Sequence, residues 1–216
     1  MSGVVEADGT TKRYGEVLGL NGFTASFGRG ITGLIGPNGA GKSTLFRLLV
    51  GQLALDQGRL EVLGQPAGTQ GEACRRVGYC PEHFQLYDWM TGEDFVTTLL
   101  RVDGYSKAEA TRRARGAIDT VGLHEAGHRR IRAYSRGMRQ RIKLAQSLAH
   151  DPELLLLDEP LNAVDPLGRL QLLALFHRLM EDGRHLVVSS HVLYEVERLT
   201  QNIVMISNGR ALAQGD

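Results

Sequence analysis

Nowhere does this 216-residue chain approach the ~20 consecutive apolar residues of a membrane span, and its N-terminus has no apolar signal core. The protein is therefore expected in the cytosol, or at a membrane only through something else. Cysteine is scarce: Cys74 and Cys80 are the two present, and their spacing fits no common zinc or redox pattern, which leaves two reduced thiols. Charge of one sign is also lacking. Lys plus Arg number 25 against 24 Asp plus Glu, so the net charge of +1 points to neither a nucleic-acid partner nor an acidic substrate. There is no internal repeat, no low-complexity tract and no linker that would divide the chain. What is there is ordinary for one large domain: 42% hydrophobic and 23% charged residues, long enough to bury a core without staples.

The pattern changes character along the chain. The first thirty residues read as short strands, with Leu18 and Leu20, then Phe23, Ala25 and Phe27, alternating on either side of Gly22. Further strands are expected at 60–64 and 77–80. From about Thr91 to His150 the pattern is helical. Thr91 with Asp94 resembles a cap, Ser106 with Glu109 matches the capping box S-x-x-E, and Ser135 stands as the N-cap of a third helix that ends before Asp151-Pro152. The second helix should stop at Gly122. Strands and helices then alternate over 153–158, about 166–182, 186–190 and about 191–200, which implies a largely parallel sheet. Asn208-Gly209 signals a closing hairpin. The expected organisation is a single domain over 1–216, with 1–90 and 151–216 forming a core and 91–150 an inserted helical subdomain.

The most informative stretch is Gly36-Pro37-Asn38-Gly39-Ala40-Gly41-Lys42-Ser43-Thr44, which matches G-x-x-x-x-G-K-[ST] at every fixed position. Glycines let consecutive backbone N–H groups turn inward toward phosphate oxygens. Lys42 adds a point charge toward the β- and γ-phosphates, and Ser43 offers a hydroxyl to Mg²⁺. The run Ile31 to Ile35 reads as the strand before this loop and Thr44 to Val50 as the helix after it, stopping at Gly51. Phosphates then sit at a helix N-terminus. The second strong signal is Leu154-Leu155-Leu156-Leu157-Asp158-Glu159: a buried strand with two acids at its C-terminal end, where open α/β sheets bind ligands. Asp158 is placed to hold Mg²⁺, and Glu159 to act as general base on a water aimed at the γ-phosphate.

Three other patterns point elsewhere and are set aside. His124-Glu125-Ala126-Gly127-His128 matches the zinc-protease H-E-x-x-H, but Gly122 and Gly127 argue against the single helix that motif needs. Gly28-Arg29-Gly30-Ile31-Thr32-Gly33 matches G-x-G-x-x-G but precedes a strand instead of following one. The arginines at 112, 113, 115, 129, 130, 132, 136, 139 and 141 suit a nucleic acid or anionic lipid; with near-zero net charge, solvated helix faces are favoured.

Together with Leu154 to Glu159, the stretch Tyr134-Ser135-Arg136-Gly137-Met138-Arg139-Gln140-Arg141 and the triplet Ser189-Ser190-His191 occur in the order of an ABC-type ATPase, and the chain resembles that family over nearly its whole length. Tyr134 to Met138 resembles the signature motif, most often Leu-Ser-Gly-Gly-Gln; Ser135 and Gly137 are kept, while Tyr134, Arg136 and Met138 depart from it. The resemblance implies that Ser135 and Gly137 meet the γ-phosphate held by a partner subunit. It further implies that Tyr14 stacks on adenine, that His191 contacts the γ-phosphate, and that Asp165 communicates between subunits. Where many relatives place Gln, this chain has Pro81-Glu82, so a carboxylate stands at the position that senses Mg²⁺ and the attacking water.

The resemblance implies a P-loop fold of ABC type: a mixed, mainly parallel sheet core, an N-terminal antiparallel β part and the inserted helical subdomain. It implies an ATPase using ATP and Mg²⁺, with Lys42, Glu159 and His191 catalytic. Tyr14, Gly36 to Thr44, Glu82, Ser135, Gly137 and Asp165 would hold nucleotide, and Ser43, Asp158 and Glu82 the metal. The implied partners are a second ATP-binding subunit, identical or not, and an integral membrane permease that places the chain on the cytoplasmic face of the membrane only indirectly. No nucleic-acid partner is expected. Phe84, Leu86, Tyr87 and Trp89 are expected to line the groove that receives the permease. The form of the signature, with Glu82, resembles exporter-type ATPases for drugs, lipids or polysaccharides. The rival is a soluble ABC-type ATPase acting on ribosomes or nucleic acid, whose relatives usually carry two cassettes or long coiled coils, neither of which is present. Many relatives run further past the closing hairpin, which leaves open a C-terminal extension after Asp216.

Overall fold

Two sheets of different kinds meet in this protein, one antiparallel and one mainly parallel. The computed structural model describes residues 3–68, 75–162 and 164–215. Strands β1 (Val5–Tyr14) and β2 (Val17–Phe27) pair antiparallel and are joined by β4 (Gln57–Val62) and the short β5 (Gln65–Pro66), in the order β2-β1-β4-β5. The second sheet has the order β10-β9-β3-β8-β7-β6. Its strands are β3 (Ile31–Ile35), β6 (Val77–Cys80), β7 (Leu154–Asp158), β8 (His185–Ser190), β9 (Ile203–Ser207) and β10 (Arg210–Gly215). Every neighbour pair in it is parallel except β9 with β10. Every residue of β3 and β7 is buried, the mark of a parallel strand covered on both faces.

The helices are α1 (Lys42–Leu49), α2 (Gly92–Val102), α3 (Lys107–Thr120), α4 (Arg136–Leu148), α5 (Pro166–Glu181) and the single-turn α6 (Leu193–Glu197). The side chains of β7 sort them. Leu154 and Leu156 enter one apolar cluster with Leu45, Phe46, Leu48 and Leu49 of α1 and with Phe23, Phe27 and Leu60 of the antiparallel sheet. Leu155 and Leu157 enter the other, with Leu172, Leu175 and Phe176 of α5, Ile142 and Leu144 of α4, and Phe95, Leu100 and Ile118 of α2 and α3. The period-2 alternation of one strand thus sets α1 and the antiparallel sheet on one face and the remaining helices on the other.

Caps are found where the sequence expects them. Thr91, Ser106 and Ser135 accept from the backbone N–H groups of Asp94, Glu109 and Met138 at 3.0, 3.2 and 3.2 Å. Only half of the box at Ser106 forms: the Glu109 carboxylate turns instead to Arg112 and Arg113, both at 2.6 Å. Asn208 and Gly209 both have positive φ, 49° and 73°, and close the β9–β10 hairpin.

Two expectations are corrected. The first strands are long, ten and eleven residues, because Gly22 at φ 61° makes a bulge that shifts register without ending β2. The helix expected over about 191–200 spans only Leu193–Glu197; the chain then turns so that Thr200 Oγ1 donates to Ile31 O at 2.7 Å. As Gly122 and Gly127 predict, the segment from Gly122 to His128 forms turns instead of a helix, with His124 and His128 exposed. Cys80 is buried as a free thiol, while Cys74 lies outside the described residues.

Candidate functional site

The site lies where the ends of β3, β7 and β8 meet. Their parallel register sets Ile35 opposite Ser190 and Asp158 opposite Ser189, so the C-terminal ends of three strands share one edge. From β3 the chain enters the glycine-rich loop, anchored by Gly36 N donating to Ser190 O at 3.2 Å and by Gly209 N donating to Ala40 O at 2.9 Å. Gly36 has no room for a side chain: a Cβ there would stand 2.2 Å from Ile206 O. Gly41 takes φ 110° and passes the chain into α1. Pro37, Asn38 and Gly39 are exposed, Ala40 is buried, and Thr44 lies half-buried in the first turn of α1. The free N–H groups of that turn face outward from the sheet edge, an anion site by construction.

Lys42 returns into the loop instead of pointing away. Its ammonium donates to Gly36 O at 2.7 Å and Pro37 O at 3.3 Å and lies 3.2 Å from Glu159 Oε1. The other oxygen, Oε2, is 2.9 Å from His191 Nδ1. Lys42 and Glu159 are both nearly fully buried, and Glu159 takes the left-handed conformation, φ 49°, that few non-glycine residues adopt. That turn aims its side chain back across the sheet edge. Beside this trio runs a second. Ser43 Oγ donates to Asp158 Oδ2 at 2.6 Å, and Ser189 Oγ donates to Asp158 Oδ1 at 2.7 Å while accepting from Glu159 N at 3.0 Å.

The surroundings are apolar and negative. Burial, reinforced by the Asp158 charge, pushes the Tyr79 hydroxyl up to about 12, and burial does the same to the Cys80 thiol. Burial holds the Lys143 ammonium below its ordinary value.

The other predicted residues are distributed around this centre. Tyr14 is 43% exposed and lies over Gly19, where an added Cβ would come within 2.6 Å of the ring and 3.1 Å of Thr44 Cγ2. The ring thus stands beside the start of α1. Glu82 accepts from Asn162 Nδ2 at 3.2 Å, and its carbonyl accepts from Lys143 Nζ at 2.8 Å; among the described residues no hydrogen bond joins it to Ser43 or Asp158. Ser135 and Gly137 begin α4, and no hydrogen bond among the described residues joins either to the glycine-rich loop. Asp165 caps α5, its Oδ1 accepting from Gly168 N at 2.9 Å.

A groove of about 1020 Å³ opens between the core and the α2–α3 turn, lined by Arg47, Leu53, Tyr79, Pro81, Phe84 and Tyr105 among others. Of the four residues expected to line such a groove, Phe84 does so. Leu86 is partly buried against the core, and Tyr87 and Trp89 stand outside at 49% and 71% exposure. Several arginines of the basic region are engaged: Arg115 with Glu93, Arg139 with Asp88, and Arg141 with Val121 O.

Strand, glycine-rich loop, helix, and an acidic pair two strands over compose a site suited to a polyphosphate with a hard cation. A family model described as ABC transporter matches residues 20–162, more than half of the chain. The chain belongs to the ABC transporter family. It is 40% identical over 185 residues to the ABC transporter ATP-binding protein YxlF of Bacillus subtilis, a match covering 85% of this chain. It is 35% identical over 214 residues to the Nod factor export ATP-binding protein I of Ralstonia nicotianae, covering 98% of this chain and 67% of that protein. This ABC chain spans 60% of the length of YxlF and 52% of a similar ATP-binding protein from Synechocystis. Among solved structures, the ATP binding subunit of an ABC transporter is 28% identical with a TM-score of 0.84, covering 98% of this chain and 89% of that one. CbiO1 of Clostridium perfringens shares the fold at a TM-score of 0.87 and 22% identity, covering all of this chain and 89% of its own. The α/β architecture expected from the ABC resemblance is the one found.

Sequence reading missed three contributors. Ser189 lies within a triplet whose histidine drew the attention, and only the β7–β8 register reveals that its hydroxyl serves both acids. Gly19 carries no motif; its role comes from the ring above it. Asn162 follows Glu159 by three residues, yet its partner Glu82 is 80 positions away.

Proposed function

We propose that this chain is the ATP-binding and ATP-hydrolysing subunit of an ABC transporter, working with a second cassette and driving a separate membrane permease. The observation that carries the reading is the Lys42–Glu159–His191 set beside the glycine-rich loop, its lysine and carboxylate buried and its histidine open to solvent. A lysine, a carboxylate and a histidine held together at a helix N-terminus match what phosphoryl transfer to water requires: charge neutralisation, a proton acceptor, and a group that orients it.

In this reading the backbone N–H groups of residues 36–44 and the Lys42 ammonium hold the phosphates, and Tyr14, laid flat by Gly19, stacks on the base. Glu159 Oε2, oriented by His191, accepts the proton of the attacking water. Mg²⁺ fits the donor set: Ser43 Oγ and Asp158 Oδ2 are hard oxygens 2.6 Å apart, and two protein oxygens leave the rest of an octahedral shell to water and phosphate. When bound, that ion would neutralise charge on the phosphate oxygens. Ser189 fixes Asp158 in either case. Ser135 and Gly137, at the start of α4, are free of the chain's own loop and would serve the loop of a second cassette, with Asp165 at the seam.

The permease would dock at the groove beside Phe84 and reach Tyr87 and Trp89, exposed rings joined to Phe84 through Phe95 and of the kind that anchors partners. That places the chain peripherally on the cytoplasmic face; among the described residues no helix is long and apolar enough to cross a membrane. The Nod factor export relative, together with the daunorubicin resistance protein DrrA3 of Streptomyces coeruleorubidus at 35% identity, supports export. The test is gentle detergent extraction of the tagged chain from its own cells with mass spectrometry of what accompanies it, alongside Mg²⁺-dependent ATP turnover by the recovered complex. A polytopic membrane protein with turnover supports the reading; ribosomes or nucleic acid in its place moves the ATPase to the rival class.

A further inference from the structure

A chain of hydrogen bonds outside the nucleotide contacts joins the segment after Glu159 to the turn that carries His191. It begins at the turn carrying His191. Ser190, buried, accepts from Val192 N at 3.0 Å and so closes the turn around His191, while its hydroxyl donates to Glu195 Oε2 at 3.2 Å. The other oxygen of Glu195 accepts from Arg169 Nη1 at 2.8 Å, and Arg169 Nε donates to Val164 O at 3.0 Å. Val164 lies in the segment that leads from Glu159 to Asp165, the cap of α5.

One end of this connection is buried and the other is open: the Arg169 side chain is 43% exposed. The Glu195 side chain is 11% exposed, so its charge is stable there only with partners, and both oxygens are engaged. Arg169 uses its planar fork on two different acceptors, a carboxylate and a backbone carbonyl, a geometry that a lysine cannot reproduce. None of these groups touches the glycine-rich loop through a side chain. The backbone of Ser190 does: its carbonyl accepts from Gly36 N.

We infer that Arg169 and Glu195 are positioning residues that lock the segment after Glu159 to the Ser190–Val192 turn, and so hold the His191–Glu159 pair in register. The inference rests on the ATPase reading above, because its effect is exerted through Glu159 and His191. It also assigns a path: pressure from a second cassette on the Asp165 segment reaches the turn of His191 through Arg169, without passing through the nucleotide.

The experiment is steady-state ATP hydrolysis with Mg²⁺ by the full complex carrying Arg169→Met, Glu195→Gln, both, and Arg169→Lys, each also combined with His191→Ala. The expected result is a kcat lower by about tenfold for Arg169→Met, since sub-ångström misplacement of catalytic groups has effects of this order. KM for ATP should change by less than about twofold, because the nucleotide contacts are untouched. Glu195→Gln and the double variant should lose as much as Arg169→Met and no more, Arg169→Lys should recover part of the loss, and in the His191→Ala background Arg169→Met should have no further effect. Multiplicative losses, a rise in KM that accounts for the defect, or a full further loss without His191 would overturn the inference. An unchanged kcat in Arg169→Met beside a lost kcat in His191→Ala overturns it while leaving the ATPase reading intact. An unimpaired His191→Ala, or an unmodified complex without turnover, overturns the reading itself.

Discussion

Ser189 donates its hydroxyl proton to Asp158 across the β7–β8 seam at 2.7 Å, in a pair that the parallel register sets side by side. The same oxygen accepts from the N–H of Glu159, so one buried hydroxyl serves a carboxylate and a strained backbone turn together. Replacing it with alanine leaves a buried charge short of a donor and a buried N–H without an acceptor. Ser189→Ala is expected to lower stability by about 1–3 kcal/mol, the cost of unsatisfied buried groups. Chemical denaturation measures it, and an unchanged midpoint would show that the hydroxyl is dispensable.

Glu159→Gln keeps the shape of the side chain and removes its basicity. Turnover should fall by about 10²–10⁴-fold, as for loss of a general base, while ATP is still bound. With closure by ATP intact and hydrolysis blocked, the variant should accumulate as a nucleotide-bound dimer on size exclusion. Turnover at the unmodified rate would remove Glu159 from the mechanism.

Glu82→Gln retains the oxygen that accepts from Asn162 and removes one negative charge. ATP affinity should hold, while the Mg²⁺ concentration for half-maximal turnover rises by about tenfold, the scale on which groups around a metal act. A superimposable Mg²⁺ titration would mean that the carboxylate plays no part in metal binding.

Legibility of the fold and site divides along physical lines. Local signals read well: the caps at Thr91, Ser106 and Ser135, the turn at Asn208-Gly209 and the loop at Gly36 to Thr44 depend on neighbours within a few residues, so sequence carries them. The bulge at Gly22 did not read, since a left-handed glycine that ends a strand and one that re-phases it look alike until the partner strand is in place. The site divided the same way. Lys42 and Asp158 announced themselves by motif. Their contacts with Glu159 and Ser189 depend on which strands are neighbours, and β3, β8 and β7 adjoin although more than a hundred residues separate β3 from the others. Glu82 illustrates the limit: its type was read directly, but the Asn162 and Lys143 groups that hold it come from two distant elements.

Acid should weaken this protein through two half-buried imidazoles. Burial holds the His150 imidazole below its ordinary value of about 6.5, though its hydrogen bond to Val77 O at 3.2 Å works the other way. His185 is lowered too, by burial and then by Arg29. The fold therefore favours the neutral form of both rings, while the unfolded chain takes up protons more readily. Stability is complete above the unfolded value and is lost as pH falls below it. The unfolding midpoint should drop between about pH 7.5 and about pH 5.5, and His150→Gln, which can still donate to Val77 O, should soften the drop. Equal slopes for the two proteins would exclude His150 as a source.

Trp89 is the chain's sole tryptophan, and it is 71% exposed, linked ring to ring through Tyr87 at 6.2 Å and Phe95 to Phe84 of the groove. Nearly all indole emission from this protein therefore originates at one known point of its surface. A helix laid across that point would dehydrate the ring and move its emission to shorter wavelength, whereas events confined to the nucleotide edge would leave it at the colour of water-exposed indole. The protein carries, without any label, an optical reporter of what it touches on that side.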